Sequence, residues 1–441
     1  MSVTAGCGTD HGNLDIYTNS GTTFRGSPVT LNYYVGVTAS SGTCTTSVTA
    51  ASVVVTNTNS GGGSSSAQAH LLTADYLGAP FGTTKISWAS AAAHLTWAQV
   101  APSYANAVSA AGIKTQYYVD PNQTMDNGDP FYTSNEATFA HTCSGSRITM
   151  VDSGHAMYQM EVPVSELQAL FQNVVRKVIG TSHYDSVFED GPGDLKAYGE
   201  STLPCNYSTA TWLSYGEYLN QFSPIPVVDN GLAELNGEQP SLSIALLAGS
   251  NTIGADYEHC YSDNKFLEET GWLWEAVENT EIQVGAKGKM FWCMLRNSNE
   301  ASTSIGPRIY ALASFLLTYV PSKSVLWEQF ATTSGFHVEP ESQFVPLTPE
   351  AATPSSVDSL KQSGGTYARQ YESCYYAGHL VGRCAIVVNS DDASAHSFPY
   401  SGYGHTLYLS GGGILDGGTA SVYGGAPPAS VPARSAVIAL P

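Results

Sequence analysis

Six apolar segments of this 441-residue chain end in acids: Asp75, Asp120, Glu189 with Asp190, Asp229, Asp256 with Glu258, and Glu328. The whole chain holds 37 Asp and Glu, so the concentration at segment ends exceeds a random scatter. Carboxyl groups crowded into one cleft raise one another's pKa, which lets one stay protonated while its neighbour ionises. Such a pair does one chemistry well, the cleavage of a glycosidic bond, with one acid and one nucleophile or base. Aromatic residues flank the acids, among them Tyr76, Trp97, Tyr118, Trp292 and Trp327. Their flat apolar faces suit the C–H faces of sugar rings.

The sharpest signal is Tyr184-Asp-Ser-Val-Phe-Glu-Asp-Gly-Pro-Gly, an apolar strand running into two acids and a turn. Neighbouring strand residues point to opposite faces, so only one of Glu189 and Asp190 can face a cleft. Asp190 is expected as nucleophile or base and Glu258 as general acid, with Asp256 replacing it if that strand has slipped. Asp75, Tyr76, Trp97, Tyr118, Asp120, Glu189, Asp229, Asp256, Trp292 and Glu328 are expected to bind sugar or tune pKa values.

The elements that would position these residues alternate. Strands are expected at Ala69–Asp75, Lys114–Asp120, Ser186–Asp190, Ile225–Asp229, Ile253–Glu258, Lys289–Leu295 and Ser324–Glu328, with another within Arg147–Val162. Helical spacing falls at Trp97–Ala111, Ser165–Ile179 with Gly180 as its cap, Thr211–Phe222, Lys265–Glu281 and Pro307–Val320. Seven or eight βα units over residues 67–335 predict an α/β fold, a (β/α)₈ TIM barrel. A doubly wound sheet would want a Gly-rich phosphate loop, and Tyr76-Leu-Gly-Ala-Pro-Phe-Gly is not one. Residues 1–66 read as a Thr/Ser-rich β segment and 336–364 as a Pro-rich linker. Residues 365–441, without helical spacing, read as an antiparallel β-sandwich.

Lys and Arg number 17, for a formal charge of −20. That field disfavours nucleic acid and anionic membranes as partners. No apolar run approaches a membrane span. Eight cysteines without zinc spacing predict disulfides and a secreted protein, sequential pairing being the simplest of the 105 possibilities. The opening Met-Ser-Val-Thr-Ala-Gly-Cys reads as a mature form with an added Met. No metal or cofactor is expected, since H-x-x-x-H, H-E-x-x-H and EF-hand patterns are missing, and the lack of a G-x-S-x-G elbow argues against a serine hydrolase. Asn122-Gln-Thr and Asn206-Tyr-Ser are glycosylation triplets.

Tyr184-Asp-Ser-Val-Phe-Glu-Asp also resembles the strand motif of TIM-barrel glycoside hydrolases in the hypothetical glycosyl hydrolase family 15 group. A looser similarity is to polygalactosaminidase-like glycosidases. Arg308-Ile-Tyr-Ala-Leu-Ala-Ser-Phe-Leu-Leu is similar to that group's helix before the last barrel strand. Tyr367-Ala-Arg-Gln-Tyr-Glu-Ser and Arg383-Cys-Ala-Ile-Val-Val-Asn-Ser are similar to its C-terminal sandwich. The resemblance spans residues 67–441 as architecture and about thirty residues as motif. Ser186 stands where the group commonly has Gly, Cys374 and Cys384 are additions, and residues 1–66 have no counterpart. It implies a glycosidase acting on a polysaccharide or oligosaccharide. The alternative is a non-catalytic carbohydrate-binding or surface-structural protein on the same barrel, since fold does not secure function.

Overall fold

The structure is a computed structural model that describes residues 29–33, 51–55, 70–77, 87–152, 155–190, 203–208, 211, 215, 218–230, 232, 246–257, 260–261, 272–331, 338–414 and 417–441. The chain divides into two units, Met1–Gln68 and Ala69–Pro441. In the first, Val29–Tyr33 pairs antiparallel with Ala51–Val55.

The second unit contains a closed barrel of eight parallel strands. They are β1 (Leu72–Leu77), β2 (Trp97–Val100), β3 (Lys114–Val119), β4 (Ser186–Glu189), β5 (Val227–Asn230), β6 (Thr252–Tyr257), β7 (Met290–Ala301) and β8 (Ser324–Ala331). β8 closes on β1 through Val325↔Leu72 and Trp327↔Ala74. One row of register partners runs from Asn230 through Asp256, Trp292 and Val325 to Leu72, and the Asp229↔Glu189 offset extends it to Asp190. Carried on by the offsets of the β1–β2, β2–β3 and β3–β4 pairs, it reaches the β4 side at position 182, eight residues before Asp190. That offset is the shear of a (β/α)₈ barrel. A row therefore descends the barrel by about one residue per strand.

Alternation sorts the strand residues. Ala74, Trp97, Phe188, Val228, Trp292, Met294, Val325 and Trp327 fill the interior. Val119, Val187 and Val227 face outward against Leu167, Phe171 and Val175. Those three residues recur every fourth position on α3 (Ser165–Ile179), with Glu166 in its first turn and Arg176 and Lys177 in its last, matching the helix dipole. Gly254 sits at a register shift between β5 and β6. A Cβ there would stand 2.4 Å from the Met290 carbonyl oxygen, so only glycine lets β6 and β7 approach.

Two expectations for this region are corrected. Trp97–Val100 is a barrel strand rather than the start of a helix, and α2 (Pro102–Ala110) begins at the proline that follows. All four residues of β2 are buried, two facing each way, which a one-sided surface helix would not allow. Arg147–Val162 supplies no barrel strand; Thr149–Asp152, His155–Gln159 and Gln123–Thr124 form a separate three-stranded sheet in the β3–α3 connection. Of the helix expected at Thr211–Phe222, Thr211 is helical and Tyr218–Phe222 forms a 3₁₀ turn, while most of residues 212–217 lies outside the described residues. The helix expected at Lys265–Glu281 is observed as Trp272–Ala286, here α4.

The C-terminal region is one five-stranded antiparallel sheet with two small ribbons. Its edge strand, Phe344–Pro349, lies inside the segment read as a linker and pairs with Tyr367–Tyr376. The next strands are His379–Asn389 and Ser435–Leu440, with His405–Thr406 at the far edge. Cys384, Ile386, Val388, Ile438 and Leu440 pack on α5 (Ile305–Thr318), while Ala385, Val387, Val437 and Ala439 turn to Phe398, Tyr400 and Tyr403. A barrel helix thus forms the layer beneath the sheet, and the expected sandwich is present only in part. Buried on both sides, α5 is apolar nearly all round.

Cys143–Cys205, Cys260–Cys293 and Cys374–Cys384 are disulfide-bonded. Cys7 and Cys44 lie outside the described residues. No helix among the described residues is long and apolar enough to cross a membrane. Asn122 is buried, so that glycosylation triplet is closed to modification, while Asn206 is exposed.

Candidate active site at the barrel mouth

The row that descends from Asp190 determines what the C-terminal end of the barrel presents. Asp190 is half-buried at its upper end. Its Oδ2 accepts a short hydrogen bond from the Tyr118 hydroxyl, and its Oδ1 accepts one from Asn230 Nδ2 at 2.7 Å. Tyr118, next to last in β3, stacks on Phe188 at 6.4 Å and is 44% exposed, so its ring borders the opening. Tyr118 and Asn230 thus each donate to a different oxygen of Asp190, and donors to a carboxyl favour its charged form.

Asn230 was not anticipated from sequence. It follows Asp229, and on β5 the acid faces outward while the amide faces in. Alternation alone carries that distinction. Asn230 is also the register partner of Asp256 on β6, so the two inward carboxyls flank one amide. Asp256 is fully buried, one step further down the row. Glu258 lies outside the described residues.

Other acids face elsewhere. Glu189 points outward between Val119 and Asp229, and neither oxygen has a hydrogen-bond partner among the described residues. Burial, followed by the charges of Asp229 and Asp120, pushes its carboxyl well above the usual range. Asp229 accepts from Asn220 Nδ2 at 2.7 Å, and that amide also reaches Thr252 Oγ1 at 2.8 Å, outside the barrel wall. Asp75 is buried and aligned with Ala98, which packs outward. Glu328 alternates with inward Trp327 and accepts the Glu339 backbone N–H at 2.9 Å. Arg308 beside it grips Glu341 (Nε to Oε1, 2.8 Å) and approaches Glu339 at 3.1 Å. Glu189, Asp229, Asp75 and Glu328 are therefore wall residues, because their strand parity is opposite to that of Asp190. Asp120, half-buried just past β3, lies near enough to raise the Glu189 pKa.

Two of the expected stacking residues are core. Trp97 and Trp292 are 4% and 0% exposed, with ring centroids 5.3 Å apart, and Trp327 stands 6.3 Å from Trp292. They plug the barrel and belong to its packed interior. Tyr76 lies in β1, its side chain outside the described set.

A disulfide joins the connections after β3 and β4. Cys143–Cys205 ties one to the other, and the Cys205 N–H donates to the His141 carbonyl at 2.8 Å. At the opposite end of the barrel, a cavity of about 480 Å³ is lined by Trp97, Asp185, Lys114, Lys289 and Lys323. Lys289 Nζ donates to the Gly249 carbonyl at 3.0 Å, Lys323 Nζ to the Gly288 carbonyl at 2.6 Å, and Lys114 Nζ stands 4.7 Å from the Trp97 ring centroid. Among the described residues no cluster of His, Cys, Asp and Glu could hold a metal ion.

No protein-family model matches the sequence, and no curated protein matches it. Solved structures align with the chain at low identity. A noncanonic maltogenic alpha-amylase from Thermotoga neapolitana aligns with TM-score 0.42 and 8% identity over 83% of this chain and 98% of its own. An Anoxybacillus alpha-amylase aligns with TM-score 0.41 and 9% identity over 84% and 97%. Aspergillus fumigatus Ega3, in complex with galactosamine, aligns with TM-score 0.37 and 10% identity over 59% and 92%. At these scores the chemistry has to be read from the side chains of this chain.

Proposed function

We propose that the protein is a secreted glycoside hydrolase that cleaves O-glycosidic bonds of a polysaccharide or oligosaccharide at the barrel mouth. The observation that carries this reading is Asp190, an inward carboxyl just past the C-terminal end of β4 that accepts hydrogen bonds from Tyr118 and Asn230. An anion held there can attack the anomeric carbon, or take a proton from a water that does.

The general acid is assigned to β6. Its strand begins two places from β4, so the backbones stand about 10 Å apart and inward side chains can flank one bond. Because a row drops about one residue per strand, the β6 position level with Asp190 lies two residues beyond Asp256. In the sequence that residue is Glu258. It would give its proton to the departing glycosidic oxygen, while Asp256, lower and fully buried, would favour the protonated form by its charge. Tyr118 would border the sugar. Three disulfides support placing the protein in an oxidising compartment.

The test is release of reducing ends from a panel of polysaccharides. Wild type should cleave at least one, and Asp190→Asn should bind that glycan without cleaving it. Binding without cleavage by the wild type would instead leave the non-catalytic reading.

A further inference from the structure

The described residues that expose the largest fraction of an aromatic ring are not at the barrel mouth. Tyr423 is 77% exposed and Tyr408 is 57% exposed, both on the C-terminal sheet region. Tyr408–Ser410 pairs antiparallel with Thr419–Ser421, with Tyr408 opposite Ser421 and Ser410 opposite Thr419. Alternation sends Leu409 and Ala420 into the core and turns Tyr408, Ser410, Thr419 and Ser421 outward together. Ser410 and Thr419 share a 3.0 Å hydroxyl contact. The outer face of this ribbon is therefore made only of hydroxyl-bearing side chains.

Tyr423 is held beside that face. His405 meets its ring edge-on at 5.7 Å, and His405 Nδ1 lies 3.2 Å from the Gly424 carbonyl. A Cβ on Gly424 would stand 2.6 Å from the Thr406 carbonyl oxygen and 3.1 Å from Tyr408 Cβ. The chain after Tyr423 thus lies directly against Tyr408, and the two tyrosines belong to one patch. Charge is nearly missing here: between Ala393 and Ala433 the sequence holds one ionised side chain at neutral pH, Asp416. In a chain of net charge −20, a long neutral stretch bearing exposed rings points to an uncharged partner. Exposed aromatic area costs free energy in water and marks interaction surfaces. Rings for C–H faces and a rim of hydroxyls for hydrogen bonds are complementary to sugar.

We propose that the Tyr408–Tyr423 face is an auxiliary binding surface for a neutral polysaccharide, separate from the barrel mouth. It rests on the reading of the mouth as a glycan site, since it would hold the same polymer. The experiment measures depletion of Asp190→Asn protein by cellulose, curdlan, chitin and starch granules, with a polygalacturonate gel as the anionic control. Asp190→Asn should bind at least one neutral probe. Adding Tyr408→Ala and Tyr423→Ala should weaken that binding at least tenfold with unchanged melting temperature. Tyr408→Phe with Tyr423→Phe should keep most of it. In the wild-type background the two alanines should leave cleavage of a short soluble oligosaccharide unchanged. Equal binding with and without the tyrosines, or binding to no neutral probe, would overturn the proposal. Failure of the mouth reading shows separately, as binding that responds to the tyrosines in a wild type that cleaves nothing.

Discussion

Asn230 donates a 2.7 Å hydrogen bond to the Asp190 carboxyl from the next strand, on the oxygen opposite the one that Tyr118 reaches. Asn230→Asp places a second carboxyl where the donor was. Like charges at this distance disfavour ionisation, so Asp190 should titrate higher. The acidic limb of the pH–rate profile should move upward, with kcat/KM down about 10- to 100-fold at pH 5. An unchanged profile would remove Asn230 from the positioning of Asp190.

Trp292 tests core against ligand contact. Trp292→Ala should cost about 3–5 kcal/mol and appear as a large fall in melting temperature. A sugar-stacking residue would instead raise KM with stability nearly unchanged. Chemical denaturation together with steady-state kinetics separates the two.

Arg308 is fully buried among Glu328, Glu339 and Glu341, and its Nη1 also donates to the carbonyls of Ser302 and Gly411 at 2.7 and 2.8 Å. Arg308→Met should destabilise by about 3–5 kcal/mol, because it strands carboxylates without a counter-charge. Adding Glu341→Gln should recover part of that loss. Denaturation midpoints of the single and double variants test the coupling.

These sites show how far the sequence was legible. The apolar runs into Asp190, Asp229 and Glu328 marked their strands, because a barrel strand is buried on both faces. β2 was hidden because Trp97-Ala-Gln-Val is only four residues long and merges with the helix that Pro102 begins. Alternation separated Glu189 from Asp190, and the same rule extended to Asp75, Asp229 and Glu328 would have turned them outward. Nothing local marks Trp97 and Trp292 as barrel filling, since their burial comes only when β8 closes on β1.

Acidity should stabilise the fold. Thr318 Oγ1 lies 2.8 Å from Glu278 Oε2 and 2.7 Å from Glu281 Oε2, and one hydroxyl proton serves only one of them. The other contact needs a protonated carboxyl. Burial raises Glu281 from 4.5 to about 7 and Glu278 well above its usual range. The folded state then keeps a proton that the unfolded chain releases, so stability falls as pH rises from 4.5 to about 7. For Glu281 the loss is about 3 kcal/mol. At the other end Arg147, then His141, hold exposed Glu136 down to about 2, so its contribution fades as pH drops below the usual carboxylate range. The melting temperature should peak at roughly pH 4–5. Glu281→Gln should flatten the fall above that peak, and an unaltered slope would exclude Glu281 as its source.

Neighbouring residues on β4 offer the most direct test, because the account gives them opposite sides of one strand. Reducing-end release should be measured for wild type, Asp190→Asn and Glu189→Gln on whichever glycan the wild type cleaves. Asp190→Asn should lose about 10²-fold or more in kcat, while Glu189→Gln, replacing an outward carboxyl that burial already keeps protonated, should stay within a few-fold. Activity surviving in Asp190→Asn, or vanishing only in Glu189→Gln, would contradict the assignment of the barrel mouth.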